Sequence, residues 1–198
     1  MIKKIAGAAV AAVIAMTGAT AASASTLNSV PADNLAPGAH HHALNPLVGT
    51  WKATKTNYVL AKKPIVSHDI TVKVSWIGQT GGRFLREKTE GTLAGKPYFR
   101  LGVLGFSNID RRYEWTTFDS VTPTTMTYRG KPVKGTSRKL SIPGTFTDPG
   151  ILGPRYQGKT IPMRTVITLG EKPTFDLYFT PPGQKERLID RVVYTRKL

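Results

Sequence analysis

Three consecutive histidines, His40-His41-His42, are the densest group of chemically able side chains in this sequence. Neutral imidazoles bind zinc, copper or nickel. Three neighbours on an extended segment do not all turn toward one ion, and the chain has no cysteine to supply thiolates. The triplet therefore points to adventitious metal binding, and no resident metal or other cofactor is expected. His68, the fourth histidine, stands alone on a strand and reads as structural. Nucleophilic hydrolysis needs a serine, an imidazole and a carboxylate in contact, and no Gly-x-Ser-x-Gly elbow is present. Asp plus Glu number only 12, and Asp119 with Glu87 is a pair that could meet inside a barrel, which the sequence alone does not show. No phosphate-binding loop or dinucleotide fingerprint appears. A catalytic role is not expected, and an uncharacterised enzyme, which a substrate screen would reveal, is the third functional reading.

Binding is the better reading of the remaining candidates. Asp119 shares a strand face with Tyr113 and Trp115, and Arg164 shares one with Val166. Inward Val166 implies inward Arg164, and a buried guanidinium needs an anion. That anion is either Asp119 or a ligand. An aromatic pocket of Tyr113, Trp115, Tyr128, Phe175 and Phe179 with one guanidinium suits an acid or a polar-headed apolar molecule.

These side chains must be carried by strands. Ile70, Val72, Val74 and Trp76 share one face of a segment. Phe99, Leu101 and Val103 alternate with Arg100 and Gly102, and Met126 goes with Tyr128. Leu140 goes with Ile142. Phe175, Leu177 and Phe179 alternate with Thr174, Asp176 and Tyr178, and Leu188, Val192 and Tyr194 share the last face. Such alternation, broken by Gly, Pro, Asn and Asp every ~10–15 residues, is an all-β signature. An antiparallel up-and-down barrel of about eight to ten strands follows, because closure removes exposed edges. A two-sheet sandwich is the competing arrangement. Asp148 to Gly158 breaks the rhythm with two prolines and three glycines. It reads either as a binding lid or as a surface excursion.

The ends and the charge set the context. Lys3 and Lys4, the apolar run Ile5 to Met16 and the Ala22-Ser23-Ala24 site read as a secretory signal peptide cut before Ser25. The expected organisation is signal peptide 1–24, flexible tether 25–42, and one β-barrel domain over 43–198. The product would be soluble, in the periplasm or secreted, and the histidine triplet in the tether would be dispensable for folding. The net charge of +16 comes from 28 Lys and Arg scattered along the whole chain. Weak association with anionic surfaces follows from such a charge, but no nucleic-acid motif does. A basic protein that binds cell-surface polymers or lipid headgroups is therefore the second functional reading.

Several short motifs occur in a recognisable order. Leu47-Val48-Gly49-Thr50-Trp51-Lys52 opens the domain, and Gly81-Gly82-Arg83-Phe84-Leu85 follows the second strand. Leu104-Gly105-Phe106 leads to Arg112-Tyr113 and Phe118-Asp119-Ser120. Thr147-Asp148-Pro149 precedes Pro162-Met163-Arg164, and Tyr194-Thr195-Arg196-Lys197 closes the chain. Over His42 to Leu198 this order resembles the bacterial domain-of-unknown-function family 1579, with Phe106-Ser107 standing where the family has Tyr-Asp. The resemblance implies a lipocalin-like, calycin-type barrel and no particular reaction. It implies that Arg196 packs over Trp51 as a structural plug at the closed end. It also groups Arg83, Asp119, Arg164 and Tyr178 as a lumenal polar cluster, either a ligand site or an internal ion-pair network.

Overall fold

The computed structural model describes residues 32–59 and 63–197. The signal peptide and its cleavage site lie outside the described residues. Ten antiparallel strands close into an up-and-down barrel in which every strand pairs with its sequence neighbours, and the last returns to the first. They are β1 (Gly49–Asn57), β2 (Ile65–Trp76), β3 (Phe84–Leu93), β4 (Lys96–Ser107) and β5 (Arg112–Asp119). The circuit continues through β6 (Met126–Arg129), β7 (Lys139–Thr147), β8 (Thr160–Thr168), β9 (Thr174–Phe179) and β10 (Arg187–Arg196). Closure sets Trp51 opposite Arg196 and Ala53 opposite Tyr194, so no strand edge is left to template another chain.

The period of two decides what enters the lumen. Trp51, Ala53 and Lys55 point in from β1, and Ile70, Val72 and Val74 from β2. Leu85, Glu87 and Thr89 do so from β3. On β4 the inward set is Tyr98, Arg100, Gly102, Leu104 and Phe106, while Phe99, Leu101 and Val103 face outward. On β10 a bulge between Leu188 and Asp190 changes the phase. Leu188 therefore lies opposite the outward Tyr178, whereas Asp190, Val192 and Tyr194 face in. The expected common face for Leu188 and Val192 fails on that one extra residue.

One end of the barrel is sealed by the segment ahead of β1. Two helical turns, α1 (Ala32–Leu35) and α2 (Ala39–His42), lead into a 3-10 turn over Asn45–Leu47. Leu44, Leu47 and His41 are fully buried. His40 stacks on Phe106 with 4.1 Å between ring centroids, and His41 Nδ1 accepts the Gly38 N–H at 3.0 Å. The expected tether thus gives way to packed structure before His42. Its alanines and histidines have apolar and aromatic surface to cover, so the triplet belongs to the folded domain. Deeper in the same end, Trp51 Nε1 donates to Leu47 O at 2.8 Å, and the Arg196 guanidinium lies 4.3 Å from the indole. Gly49 makes room for that cation. Its φ is +137°, and a Cβ there would stand 2.8 Å from Arg196 Nη1.

The opposite end carries the β7–β8 connection. Asp148 is fully buried and accepts the amides of Gly150, Ile151 and Leu152 at 2.8–3.2 Å. Tyr156, also buried, accepts a hydrogen bond from Gln184 Nε2 at 2.7 Å. The irregular stretch is folded on itself and tied to the neighbouring β9–β10 turn. Among the described residues no helix is long and apolar enough to cross a membrane.

Candidate functional site

A band of charge crosses the middle of the lumen. Lys55 on β1 is ion-paired with Asp190 on β10, and Asn57 Nδ2 donates to the second oxygen of that carboxylate at 2.9 Å. On the facing wall, Arg100 Nη2 meets Glu87 Oε1 at 2.5 Å. The same oxygen accepts from Thr89 Oγ1 at 3.0 Å and from the Tyr194 hydroxyl at 3.2 Å. Burial works against the charge on Lys55, but Asp190 outweighs it and holds the lysine above its ordinary pKa. Burial likewise opposes the Arg100 charge, and Glu87 raises it well above the ordinary value. Both side chains are therefore cations in the interior at neutral pH.

An aromatic column leads from the sealed end to this band. Trp51 lies 5.9 Å from Tyr194, Tyr194 4.9 Å from Phe175, and Phe175 5.9 Å from Trp115. Trp115 stacks on Tyr128 at 5.1 Å, and the Arg100 guanidinium sits 5.4 Å from the Trp115 ring. Burial pushes the Tyr128 phenol up to about 12, so it stays protonated. Between these groups lies a cavity of about 40 Å³, bounded by Lys55, Tyr98, Arg100, Trp115, Asp119, Tyr128, Thr165, Phe175, Leu177 and Asp190.

Two of the residues that line it also carry donors packed away from it. Arg100 Nε and Trp115 Nε1 are buried with no hydrogen-bond partner, as are Thr117 Oγ1 and Thr165 Oγ1 in the same layers. A buried donor left unpaired costs about 1–3 kcal/mol, so this arrangement is not one that a purely structural core favours. Gly102 contributes to it. A Cβ at that position would stand 2.8 Å from Trp115 Nε1, so only a glycine lets the indole lie where it does.

The expected site residues divide. Trp115, Tyr128, Phe175 and Asp119 surround the cavity. Phe179 faces inward but packs on Phe146 at 4.5 Å, away from it. Tyr113 belongs to the sealed end, 5.0 Å from Phe106, with its hydroxyl 3.3 Å from His40 O. Arg83 is outside the lumen, its Nε donating to Thr80 O at 2.8 Å in the β2–β3 turn.

Arg164 is the main correction. It lies on the barrel exterior, holds Glu186 at 2.5 Å and covers the outward ring of Tyr178 at 4.5 Å. The inward residues of β8 are Ile161, Met163, Thr165 and Ile167. Val166 is buried too, but on the outer face beside Arg164, so its burial misreports the phase. Asp119 is not its partner: Oδ1 accepts from the amides of Val121 and Thr122 at 2.8 Å. Glu87 and Asp119 are thus engaged separately.

Lys55, Tyr98, Arg100, Thr165 and Asp190 were missed as site residues. Counting by twos from Trp51 reaches Lys55, and counting back from Tyr194 reaches Asp190. Arg100 was hidden because the other phase of β4 looks more apolar.

A wider groove of about 680 Å³ runs beside the seal, near His42, Arg138, Glu171 and Arg196. Those four side chains are exposed, and Arg196 is already committed to Trp51. The lumenal cavity, enclosed between the charge band and the aromatic column, is the stronger candidate.

Residues 36–196 match the model of a family described as protein of unknown function (DUF1579). Among solved structures the chain is similar to that of Rv2717c from M. tuberculosis. The two share 17% identity at a TM-score of 0.56, over 81% of this chain and 99% of that one. This likeness concerns the fold. No curated protein matches the sequence.

Proposed function

Since the chain belongs to the DUF1579 family of proteins of unknown function, we propose from its own geometry that it is a small-molecule binding barrel. The observation that carries this reading is the enclosed lumenal cavity itself, which the Lys55–Asp190 pair, Arg100 and the Trp115, Tyr128 and Phe175 rings surround. A rigid barrel holds these side chains in place, and a mostly aromatic wall with a few fixed polar groups is the kind of lining that small-molecule sites have. The interior space of about 40 Å³ admits a head group, not a whole drug-sized molecule. The remainder of a ligand would extend toward the end away from α2, past Leu177 and Met126. Action as a binder rather than an enzyme agrees with Glu87 and Asp190 being tied to cations, and with His68 lying exposed on β2.

The amino-terminal pattern of Lys3, Lys4, Ile5 to Met16 and Ala22-Ser23-Ala24 supports export, with the barrel acting in the periplasm or outside the cell. Its outward charges, Arg86, Lys88 and Glu90 on β3 among them, suit water rather than lipid. Native mass spectrometry of protein from its own host tests the binding reading. Wild type should carry a small-molecule adduct that is depleted in Trp115→Phe, which replaces the indole on the cavity wall by a smaller ring. Bare protein, together with no thermal shift from a metabolite library, would defeat it.

A further inference from the structure

The sealed end of the barrel brings exposed cations and exposed apolar side chains onto one face, and we propose that this face docks on an anionic lipid surface. The inference is independent of the lumenal binding reading.

Hydrogen bonds knit the face together. In the β4–β5 turn, Asn108 Nδ2 donates to Asn34 O at 3.2 Å and to Ala36 O at 2.9 Å, the two carbonyls that flank Leu35. Ile109, the next residue of that turn, is 70% exposed, and Leu35 on α1 is 49% exposed. Two large apolar side chains thus meet solvent on segments that are bonded to each other. The carbonyl of Arg111 accepts the Val133 amide at 2.7 Å, and that of Arg138 accepts the Leu169 amide at 2.7 Å. These bonds draw the β6–β7 connection and the β8–β9 turn to the same end.

Charge accompanies them. Arg111, Lys131, Lys134, Arg138 and Lys172 lie on the three connections, all exposed. Among the described residues none of the five is in an ion pair. The acids on the same connections are Asp110, which Arg112 holds at 3.3 Å, and Glu171. Cations that stand far apart in the chain are therefore gathered by the fold into a basic ring beside an apolar tip. A Lys or Arg close to an anionic membrane strengthens binding by about fivefold.

The apolar tip favours lipid over a soluble polyanion. Charge alone suits either. A phosphate or carboxylate polymer in water offers nothing to cover Ile109 and Leu35. A bilayer accepts apolar side chains below its headgroups while neighbouring cations meet the phosphates. The other end of the barrel also has cations, Lys159 and Lys185 among them, but its exposed apolar residues have acids for neighbours. Phe99 lies opposite Glu90, and the Val121 amide is bonded to Asp119.

The chain has no cysteine, so Ile109→Cys and Val121→Cys each carry one polarity-sensitive nitrobenzoxadiazole label. Vesicles of phosphatidylglycerol mixed with phosphatidylcholine should shift the Ile109→Cys label to the blue and leave the Val121→Cys label unchanged. Phosphatidylcholine alone should shift neither. In cosedimentation with the mixed vesicles, Lys131→Gln with Lys134→Gln should lose about tenfold or more in affinity. Lys159→Gln with Lys185→Gln, at the opposite end, should bind as wild type does. Leu35→Ser with Ile109→Ser should weaken vesicle binding and leave binding to polyphosphate, a polyanion with no apolar layer, unchanged. Should that pair melt early, the more exposed Ile109→Ser alone makes the same comparison. Wild type that stays off the mixed vesicles, or a blue shift at Val121 instead of Ile109, would overturn the proposal. Vesicle affinity unchanged by the serine substitutions would overturn it too, and would assign the face to anionic polymers.

Discussion

Arg100 and Arg164 each hold a carboxylate at 2.5 Å, yet their removal should weigh very differently. Arg100→Leu strands Glu87 in the lumen, and losing one partner of a buried pair costs about 3–5 kcal/mol. Arg164→Leu frees Glu186 at the surface, where an exposed pair is worth under about 1 kcal/mol. Urea titrations of the two variants make the comparison, and equal losses would put Arg164 back into the core. Trp51→Ala should cost about 3–5 kcal/mol, since it empties a fully buried site beneath Arg196 and beside Tyr194. A melting curve unchanged from wild type would remove Trp51 from that role. The same residues explain which part of the site was legible. Trp115, Tyr128 and Phe175 stand out as aromatics on clean alternations. Lys55 and Arg100 do not, because a cation inside a barrel looks from sequence like one outside. Only the partner on another strand, Asp190 or Glu87, reveals which side it is on.

The strands themselves were readable, because alternation and turn residues report local geometry. Phase was readable only where one face is polar. On β8 both faces carry apolar residues, Met163 inside and Val166 outside, so periodicity alone could not place Arg164. The bulge on β10 defeats counting for a similar reason: an extra residue leaves no mark in composition. The seal formed by α2 was illegible because its turn is too short to show a helical period and its histidines look hydrophilic. In place, burial holds His40 and His41 below the ordinary histidine pKa, with Arg111 and Arg83 respectively adding to the effect. The docked segment therefore favours neutral rings. Above about pH 6.5 the rings are neutral whether docked or released, and docking contributes in full. As the pH falls below that value the released segment takes up protons more readily, and the seal weakens. Amide protection factors for Ala43 and Leu44, corrected for intrinsic exchange, should drop between about pH 7.5 and about pH 5. Protection that stays flat across that range would show that the histidines do not control the seal.

At the scale of the whole molecule, the pairing of Trp51 with Arg196 joins the first strand to the last. That ladder also brings Lys55 within reach of Asp190 and sets Tyr194 beside Glu87. A chain ending before Arg187 should consequently show no cooperative melt, and a normal transition in such a truncation would mean that nine strands suffice. The closing ladder also governs timing. Contacts between residues so far apart in the chain form against the full entropy of loop closure, which places topologies of this kind among the slow folders, in the millisecond-to-second range. A polypeptide emerging residue by residue has nothing to close against until β10 appears. Until then Lys55 lacks Asp190 and Glu87 lacks the Tyr194 hydroxyl, so the interior charges are fully answered only when the last strand is made.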